Sequence, residues 1–351
     1  MTTRERVQRT FDHKEADRVP ITDSPWAGTL ARWKKEGMPE DADWRDYFQV
    51  DKMESFGVDN SPRYERKIIE ETDDYIISTT EWGVTLKNFR VPDSTPEFLD
   101  YKVHTPETWA DAKARMQVSR DRVDWDFLKK HFHQWQAEGR WIEGVFWFGF
   151  DVTHSWMAGF ETIIYALMEE PEWVKDIFNT CLDSSIALYD MVWDAGYHFD
   201  SIFWYDDMGY KGHTFFSNEL YADLLQPFHK RAIDWAHNHG IKAHLHSCGN
   251  IMTRIPQLME IGLDALNPIE IKSGMDIKAI KRDYGDRLVL HGGTNAMLMD
   301  KPEVLPYIED MLPVVKENGG YIFSSDHSIP NSVSLENYRA IVAAVKKFGA
   351  Y

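Results

Sequence analysis

Residues 199–249 read FDSIFWYDDMGYKGHTFFSNELYADLLQPFHKRAIDWAHNHGIKAHLHSCG, and this stretch determines the expected fold. Its first and last segments are short and apolar, which is typical of buried strands, whereas residues 217–240 have the apolar spacing of a helix. Ser217 is placed to cap that helix and Gly240 to end it. A strand, a helix and a second strand in this order predict a βαβ unit in a parallel sheet.

The same alternation continues on both sides of this stretch. Residues 141–149 (WIEGVFWFG) precede another helical stretch, and three later strand-like runs each precede a helix: LDALNPIE (263–270), RLVLHGG (287–293) and GYIFSSDH (320–327). Those six runs need two more to close a barrel, and RVPITDS (18–24) and KMESFGVD (52–59) are the candidates.

The region between these candidates and the later units indicates an elaboration of the barrel. TTEWGVTLKNFRVP (79–92) has the pattern of a β-hairpin. No linker, low-complexity tract or internal repeat divides the chain. We therefore predict an α/β fold, a single (β/α)8 TIM barrel of one domain over residues 1–351, with a helical and β-hairpin elaboration within residues 1–140.

Composition narrows the functional classes. The formal charge is −18, from 57 acidic and 39 basic residues, and no lysine and arginine stripe exists to bind nucleic acid or an anionic membrane. Only two cysteines are present, and neither a signal peptide nor a membrane span is indicated, so we predict a cytoplasmic protein. Some of the 14 tryptophans are expected to line a groove or pocket.

A barrel carries its chemistry at the C-terminal ends of its strands. His246 and Cys248 alternate at such an end, so both side chains point to one face, and Asp326-His327 ends the last strand. Zinc binds sets of cysteine, histidine and carboxylate, but a buried histidine bonded to the sheet is an alternative explanation of one His-x-Cys pair. The other candidate residues at strand ends are Asp23, Trp204, Tyr205, Asp206, Asp207, Asn267, Glu270, His291 and Asn295.

Three motifs together resemble the uroporphyrinogen decarboxylase superfamily, and specifically its branch of zinc-dependent, corrinoid-linked methyltransferases. These are HLHSCGNI (244–251), WYDDMG (204–209) with the helix start SNELY (217–221), and SSDHSIPNSVSLENY (324–338). The resemblance runs from about residue 141 to the C-terminus and implies a (β/α)8 barrel. It also implies a zinc ion held by a His-x-Cys pair and by a second cysteine on the last strand.

His246 and Cys248 match that pair, and His327 stands where the second cysteine is expected. Replacing a thiolate by a neutral imidazole leaves more positive charge on the metal, which favours stabilising a leaving oxygen over keeping a bound thiolate nucleophilic. The resemblance therefore implies methyl transfer from a methyl ether, such as a methoxylated aromatic, to a Co(I) corrinoid. Zinc would stabilise the leaving oxygen.

Other residues are assigned around this predicted centre. Asp206 and Asp207 are neighbours on a strand, so one of them is expected to face the mouth as a fourth ligand or proton donor, the alternative being a pair that caps a turn. His291 and Asn295 are expected to contact substrate or corrinoid, whereas His244 is expected to be packed or to contact the ligand residues, and not to be a ligand itself. Several aromatic side chains are expected to contact a flat substrate ring, although core packing explains about half of them equally well. They are Trp26, Trp82, Phe146, Trp147, Phe148, Trp156, Trp204 and Tyr205.

The partners and alternatives follow from the same resemblance. The chain has no Asp-x-His-x-x-Gly cobalt-ligand motif, so the corrinoid must arrive on a separate corrinoid-binding protein, and a homodimer stays open. The first alternative is a methyl-corrinoid:thiol methyltransferase with a coenzyme M-like acceptor, and another is a non-enzymatic zinc-binding sensor. Uroporphyrinogen decarboxylation is disfavoured because TDSPWAGTLARW (22–33) replaces the arginine-containing segment of that enzyme.

Overall fold

The computed structural model describes residues 1–90 and 95–351. Val91 and Pro92, the last two residues of the predicted hairpin segment, lie outside the described residues. The described strands are β1 (Met53–Gly57), β2 (Ile68–Glu71), β3 (Tyr75–Thr79), β4 (Val84–Phe89), β5 (Glu97–Tyr101), β6 (Trp141–Phe146), β7 (Ser201–Tyr205), β8 (Gly209–Tyr210), β9 (His213–Thr214), β10 (Lys242–His246), β11 (Ala265–Asn267), β12 (Val289–His291) and β13 (Tyr321–Ile322).

The α-helices of the described residues connect these strands. No helix among them has both the length and the apolar composition needed to cross a membrane. The helices are α1 (Thr3–Phe11), α2 (Ala27–Lys35), α3 (Trp44–Phe48), α4 (Pro106–Arg115), α5 (Trp125–Ala137), α6 (Phe150–Thr153), α7 (Phe160–Glu169), α8 (Pro171–Asp194), α9 (Asn218–Leu224), α10 (Gln226–Asn238), α11 (Ile255–Glu260), α12 (Ile277–Tyr284), α13 (Val304–Val315) and α14 (Leu335–Phe348).

A curled parallel sheet positions the site. Its seven strands pair in the order β1-β6-β7-β10-β11-β12-β13, and every pairing is parallel. The register places Tyr205, His246 and Asn267 side by side on β7, β10 and β11. Since parallel strands end at one edge, the side chains that follow these residues meet at the C-terminal side of the sheet.

The eighth strand of the predicted barrel is not regular. Residues 18–25 run beside β13 through single bridges, Ile21 to Phe323 and Pro25 to Ile329, and the N–H of Asp51 donates to Ile21 O at 2.8 Å. Pro20 and Pro25 have no N–H to donate to a ladder, which explains why no continuous strand forms here. The described chain therefore has a seven-stranded, TIM-barrel-like sheet, and a closed eight-stranded barrel is not confirmed.

Helix α1 covers the N-terminal end of the sheet. Phe11 stacks on Trp141 with ring centroids 5.2 Å apart, and Val7 joins the same buried cluster as Ala265 and Val289 at the starts of β11 and β12. Burying these side chains closes this end to water. The C-terminal side of the sheet is therefore left for the cavity.

The elements outside the large sheet differ from the prediction in detail. The predicted hairpin corresponds to β3 and β4, which belong to a four-stranded antiparallel sheet in the order β2-β3-β4-β5. The helix predicted over residues 217–240 is divided into α9 and α10, because Pro227 starts a new helix and Leu225 lies outside both. Ser217 caps α9 by accepting from the N–H of Leu220, and Gly240 has the positive φ of +71° found after helix ends.

Candidate metal site

Three side chains with metal-binding atoms meet at the C-terminal ends of β7 and β10. They are Asp207, His246 and Cys248, and their ligand atoms all lie within 4.8 Å of one another. His246 Nε2 lies 3.3 Å from Cys248 Sγ and 3.6 Å from Asp207 Oδ1. A thiol, an imidazole and a carboxylate are a donor set that zinc accepts.

The ring of His246 is held in one orientation by Asn267. The two side chains are joined by a hydrogen bond of 2.6 Å between His246 Nδ1 and Asn267 Oδ1. Asn267 Nδ2 donates to the carbonyl of His291 at 3.2 Å, so its oxygen is the atom turned to His246 and His246 Nδ1 carries the hydrogen. His246 Nε2 is consequently unprotonated in the neutral ring and available to a metal ion, and the hydrogen bond supports its basicity.

The turn after Cys248 fixes the thiol at the edge of the sheet. Gly249 has φ of +84°, and a Cβ at this position would overlap the backbone of Gly209, so only glycine fits. The N–H of Gly249 donates to the carboxylate of Glu270. The N–H of Cys248 donates to Asp207 Oδ1 at 2.7 Å, which ties the ends of β7 and β10 together.

The electrostatics of this set favour a bound cation. Burial, and then the charge of Asp207, raise the pKa of the Cys248 thiol well above its ordinary value. A thiolate and a carboxylate so close together are stable only with a positive charge between them. The donor set therefore fits a divalent metal ion.

Asp206 and Asp207 point to opposite sides of the sheet. Asp207 is about one third exposed and lines the cavity. Asp206 is fully buried, accepts hydrogen bonds from the N–H of Asp151 at 2.8 Å and from His229 Nε2 at 2.7 Å, and faces the helix layer. The expectation that only one of the two faces the mouth agrees with this geometry, and that residue is Asp207.

A cavity of about 620 Å³ opens above this set. Tyr205 lines it, with its ring centroid 4.9 Å from that of His246 and 38% of its surface exposed. His291 lines it too, and burial lowers the pKa of His291 well below its ordinary value, so the ring is neutral. His327 belongs to the cavity wall but lies outside the 4.8 Å set formed by Asp207, His246 and Cys248.

The other predicted substrate contacts are placed differently. Phe148 and Trp204 are fully buried behind the sheet with their rings 6.0 Å apart, because the alternation that turns Tyr205 into the cavity turns Trp204 toward the helices. Asn295 caps a short 3-10 turn by accepting from the N–H of Met297. Trp26 stands at the rim, with its ring centroid 6.3 Å from that of His327.

The site also contains polar residues that the sequence reasoning missed or left aside. Glu143 Oε1 accepts from Ser201 Oγ at 2.8 Å and is bonded to His244 Nδ1 at 3.0 Å; His244 Nε2 lies 3.2 Å from His291 Nδ1. His291 Nε2 is in turn bonded to Thr22 Oγ1 at 2.8 Å. The sequence feature that could have indicated this series of hydrogen bonds is the glutamate inside an otherwise apolar strand, WIEGVF.

Asp151 is the second missed residue. It follows β6 at the start of α6, and burial together with the charges of Asp207 and Asp206 raises its pKa to about 8. A protonated carboxyl therefore stands next to the candidate metal ligands. Sequence spacing gives no signal for it, because residue 151 approaches Asp207 only through the folding of β6 against β7.

Comparisons with known proteins identify the family and the fold. The profile of the family described as Uroporphyrinogen decarboxylase (URO-D) matches residues 150–348. The chain has the fold of a methyltransferase from Methanosarcina mazei, with a TM-score of 0.68 and 15% identity over 99% of both chains. A weaker match is a xylose isomerase-like TIM-barrel protein from Mycobacterium smegmatis in complex with magnesium. Its TM-score is 0.33, with 13% identity over 71% of this chain and 92% of that chain. No curated protein sequence matches significantly.

Proposed function

This chain belongs to the uroporphyrinogen decarboxylase family, and we propose that it is a zinc-dependent methyltransferase. It moves a methyl group from a methyl ether, preferably a methoxylated aromatic, to the Co(I) corrinoid of a separate corrinoid-binding protein. The observation that carries the proposal is the meeting of His246, Cys248 and Asp207 at the C-terminal edge of the sheet. The fold shared with the M. mazei methyltransferase supports the same class of reaction.

The donor set decides which metal and which chemistry are proposed. His246 and Cys248 would hold the zinc, Asp207 is placed to be the third ligand, and His327 is the ligand predicted from the sequence. Zinc bound here would supply Lewis acidity toward a substrate oxygen. Asn267 keeps the Nε2 of His246 directed at the site, and the Gly249 turn keeps the Cys248 thiol there.

The proposed reaction balances without an external oxidant. The bond from the methyl carbon to the ether oxygen breaks, and the electron pair of Co(I) forms the new carbon–cobalt bond, so that cobalt becomes Co(III). The leaving oxygen keeps the electrons of its broken bond and takes up one proton. Tyr205, exposed beside His246, offers a face against which an aromatic donor stacks.

The charges of the cavity argue against a polycarboxylate substrate. Among the lining residues of the described chain, Arg45 is the only lysine or arginine, and it is already bonded to Asp43 and Glu54. Five carboxylates line the same cavity, namely Asp23, Asp51, Glu143, Asp207 and Asp326. A substrate with many carboxylates would be repelled here, which disfavours decarboxylation of uroporphyrinogen.

A thiol acceptor remains the second candidate function, and Asp207 is the observation that favours it. With Asp207 as a ligand the set contains two anionic donors, so zinc carries less positive charge than in a set with His327 in that place. Lower charge on the metal keeps a bound thiolate more nucleophilic. The third ligand therefore bears on the choice between ether donor and thiol acceptor, whereas the exposed ring of Tyr205 beside His246 supports the aromatic ether.

One experiment separates these functions. The zinc-loaded protein is mixed with a corrinoid protein reduced to Co(I) and with methoxybenzenes, and the cobalt absorbance is followed. Loss of the Co(I) spectrum with release of the phenol supports the proposal. Transfer from methyl-corrinoid to a thiol, with no reaction of ethers, would instead favour the second function, and stoichiometric zinc without either reaction would favour a sensor.

A further inference from the structure

A second cavity lies beside the metal cavity, between the large sheet and the antiparallel sheet. Its volume of about 950 Å³ is in the range of small-molecule sites. Four tryptophans line it: Trp82 in the turn between β3 and β4, Trp125 at the start of α5, Trp147 after β6, and Trp156 in the π-helical turn His154–Ala158. We call it the tryptophan cavity.

The two cavities share an aromatic wall. The Trp147 ring is perpendicular to that of Trp156 at a centroid distance of 6.0 Å, and on its other side lies 6.1 Å from the ring of Tyr205, which lines the metal cavity. Trp125, Trp147 and Trp156 are only partly buried. Aromatic surface left partly exposed around a concave space is typical of a site that covers a ligand.

The charged groups around the tryptophan cavity are already neutralised by one another. Arg63 is paired with Asp59 and Asp121. Arg66 makes two hydrogen bonds to Glu81, at 2.6 and 2.7 Å. A charged ligand would have to break one of these pairs, and therefore gains less here than a neutral ligand.

The remaining charged residues of the lining are likewise engaged. The Arg122 guanidinium donates to four backbone carbonyls, those of Asp59, Ser61, Arg115 and Gln117. Asp124 caps α5 by accepting from the N–H of Phe127, and Asp126 lies 3.5 Å from the ammonium of Lys129. The lining therefore offers no unpaired cation to an anionic ligand.

Asn60 adds no polar contact for a ligand in this cavity. It lines the cavity, is 2% exposed, and its Nδ2 donates to Trp147 O, Cys181 O and Ser185 Oγ at 2.7, 3.2 and 3.0 Å. Two of these partners are carbonyls that only accept, so the amide cannot be turned round. Asn60 Oδ1 has no hydrogen-bond partner among the described residues, but the atom is itself buried and is not presented to a ligand.

We propose that the tryptophan cavity binds an uncharged aromatic molecule. The ring lies against the tryptophans, and the charged groups of the lining stay paired with one another. This inference does not rest on the proposed methyl transfer, because none of its residues is a metal ligand. It adds a ligand site that the metal cavity and its reaction do not require.

The test compares three probes that differ by one group. Binding of 4-fluorophenol, 4-fluoroanisole and 4-fluorobenzoate to the zinc-loaded protein is measured by ¹⁹F NMR at pH 7. We expect 4-fluorophenol and 4-fluoroanisole to bind with affinities within about threefold of each other because both are uncharged, and 4-fluorobenzoate to bind about tenfold more weakly because its charge is unmatched. Equal binding of all three probes would overturn the proposal.

Metal removal and two variants locate the site. Binding of 4-fluorophenol is expected to persist after the zinc is removed with a chelator, and its loss would place the probe in the metal cavity and overturn the proposal. Trp156→Leu is expected to weaken binding about tenfold. The matched control is Trp193→Leu, because Trp193 is a half-buried tryptophan of α8 that packs on Phe199 outside both cavities. This variant is expected to change binding less than about twofold. Equal affinities of the two variants for 4-fluorophenol would contradict the proposed location. If Trp156→Leu fails to fold, the three probes and the metal removal still test the proposal on the unaltered protein.

Discussion

Asp207 Oδ1 accepts a hydrogen bond of 2.7 Å from the backbone N–H of Cys248. The carboxylate thereby holds the turn that carries the thiol, while it lies 3.6 Å from His246 Nε2. Asp207, which follows β7, thus contacts both His246 and Cys248 at the end of β10. These contacts keep the three candidate ligands close together.

The two neighbouring carboxylates are expected to respond differently to the same substitution. Asp206→Asn removes a charge-assisted hydrogen bond to His229 between two fully buried side chains, so we expect the free energy of unfolding to fall by about 3 kcal/mol. Asp207→Asn is expected to change stability by less than about 1 kcal/mol, since Asp207 lies at the cavity surface. Urea unfolding of the two metal-free variants measures both values, and a larger loss for Asp207→Asn would contradict the assignment.

The two cysteines provide a matched pair for the metal site. Cys248→Ser is expected to abolish stoichiometric zinc binding, because it removes the thiolate. Cys181→Ser is the control, since Cys181 is fully buried in α8 and belongs to no group of metal-binding side chains among the described residues. With Co²⁺ in place of zinc, the sulfur-to-metal charge-transfer absorbance should persist in Cys181→Ser and vanish in Cys248→Ser. Its presence in Cys248→Ser would exclude Cys248 as a ligand.

The third ligand is decided by comparing Asp207 with His327. Since Asp207 lies within the 4.8 Å set and His327 does not, we expect Asp207→Asn to weaken zinc affinity by about tenfold or more and His327→Gln by less than about threefold. Competition with a chromogenic zinc chelator measures both affinities. If His327→Gln has the larger effect, the ligand set predicted from the sequence applies.

Asn267 tests how far the site depends on the orientation of His246. Asn267→Ala removes the acceptor of the 2.6 Å hydrogen bond to His246 Nδ1, so zinc affinity is expected to fall by about 10- to 100-fold. Asn267→Asp keeps an acceptor at this position and is the control that should retain most of the affinity. The same chelator competition applies, and equal affinities for the two variants would show that the hydrogen bond does not orient the ring.

Local periodicity accounts for the part of the site that the sequence predicted. Alternation along a strand places His246 and Cys248 on one side and separates Asp206 from Asp207. The same rule would have removed Trp204 from the predicted substrate contacts. Trp204 lies on the same side of the strand as the buried Asp206, whereas Tyr205 lies on the side of Asp207.

The features that the sequence did not predict depend on contacts between distant segments. The carboxyl of Asp151 meets Asp207 only after β6 and β7 have paired, and Glu143 meets His244 across the inside of the sheet. The absence of a regular eighth strand in the described chain depends on where Pro20 and Pro25 lie relative to β13. Pattern alone does not contain these relationships, because they are set by packing between elements.

His154 gives the protein a pH dependence with a defined sign. Burial lowers its pKa from the ordinary value of 6.5 to about 4, and its Nε2 has no hydrogen-bond partner within residues 1–90 and 95–351. Between these two pH values the unfolded chain binds a proton that the folded protein does not, so stability is lost as the pH falls from 6.5 toward 4. At pH 5 this single group is expected to cost on the order of 2 kcal/mol relative to pH 7.5.

The measurement is the free energy of unfolding of wild type and His154→Gln, taken from urea curves between pH 5 and 7.5. Glutamine does not titrate, so the stability of the wild type minus that of the variant should decrease as the pH falls, and groups distant from residue 154 cancel in the difference. His104→Gln, the same substitution at an exposed histidine, is the control variant. A difference that is constant across this pH range would mean that His154 is protonated in the fold, with Asp151, whose carboxylate lies 3.5 Å away, as its counter-ion.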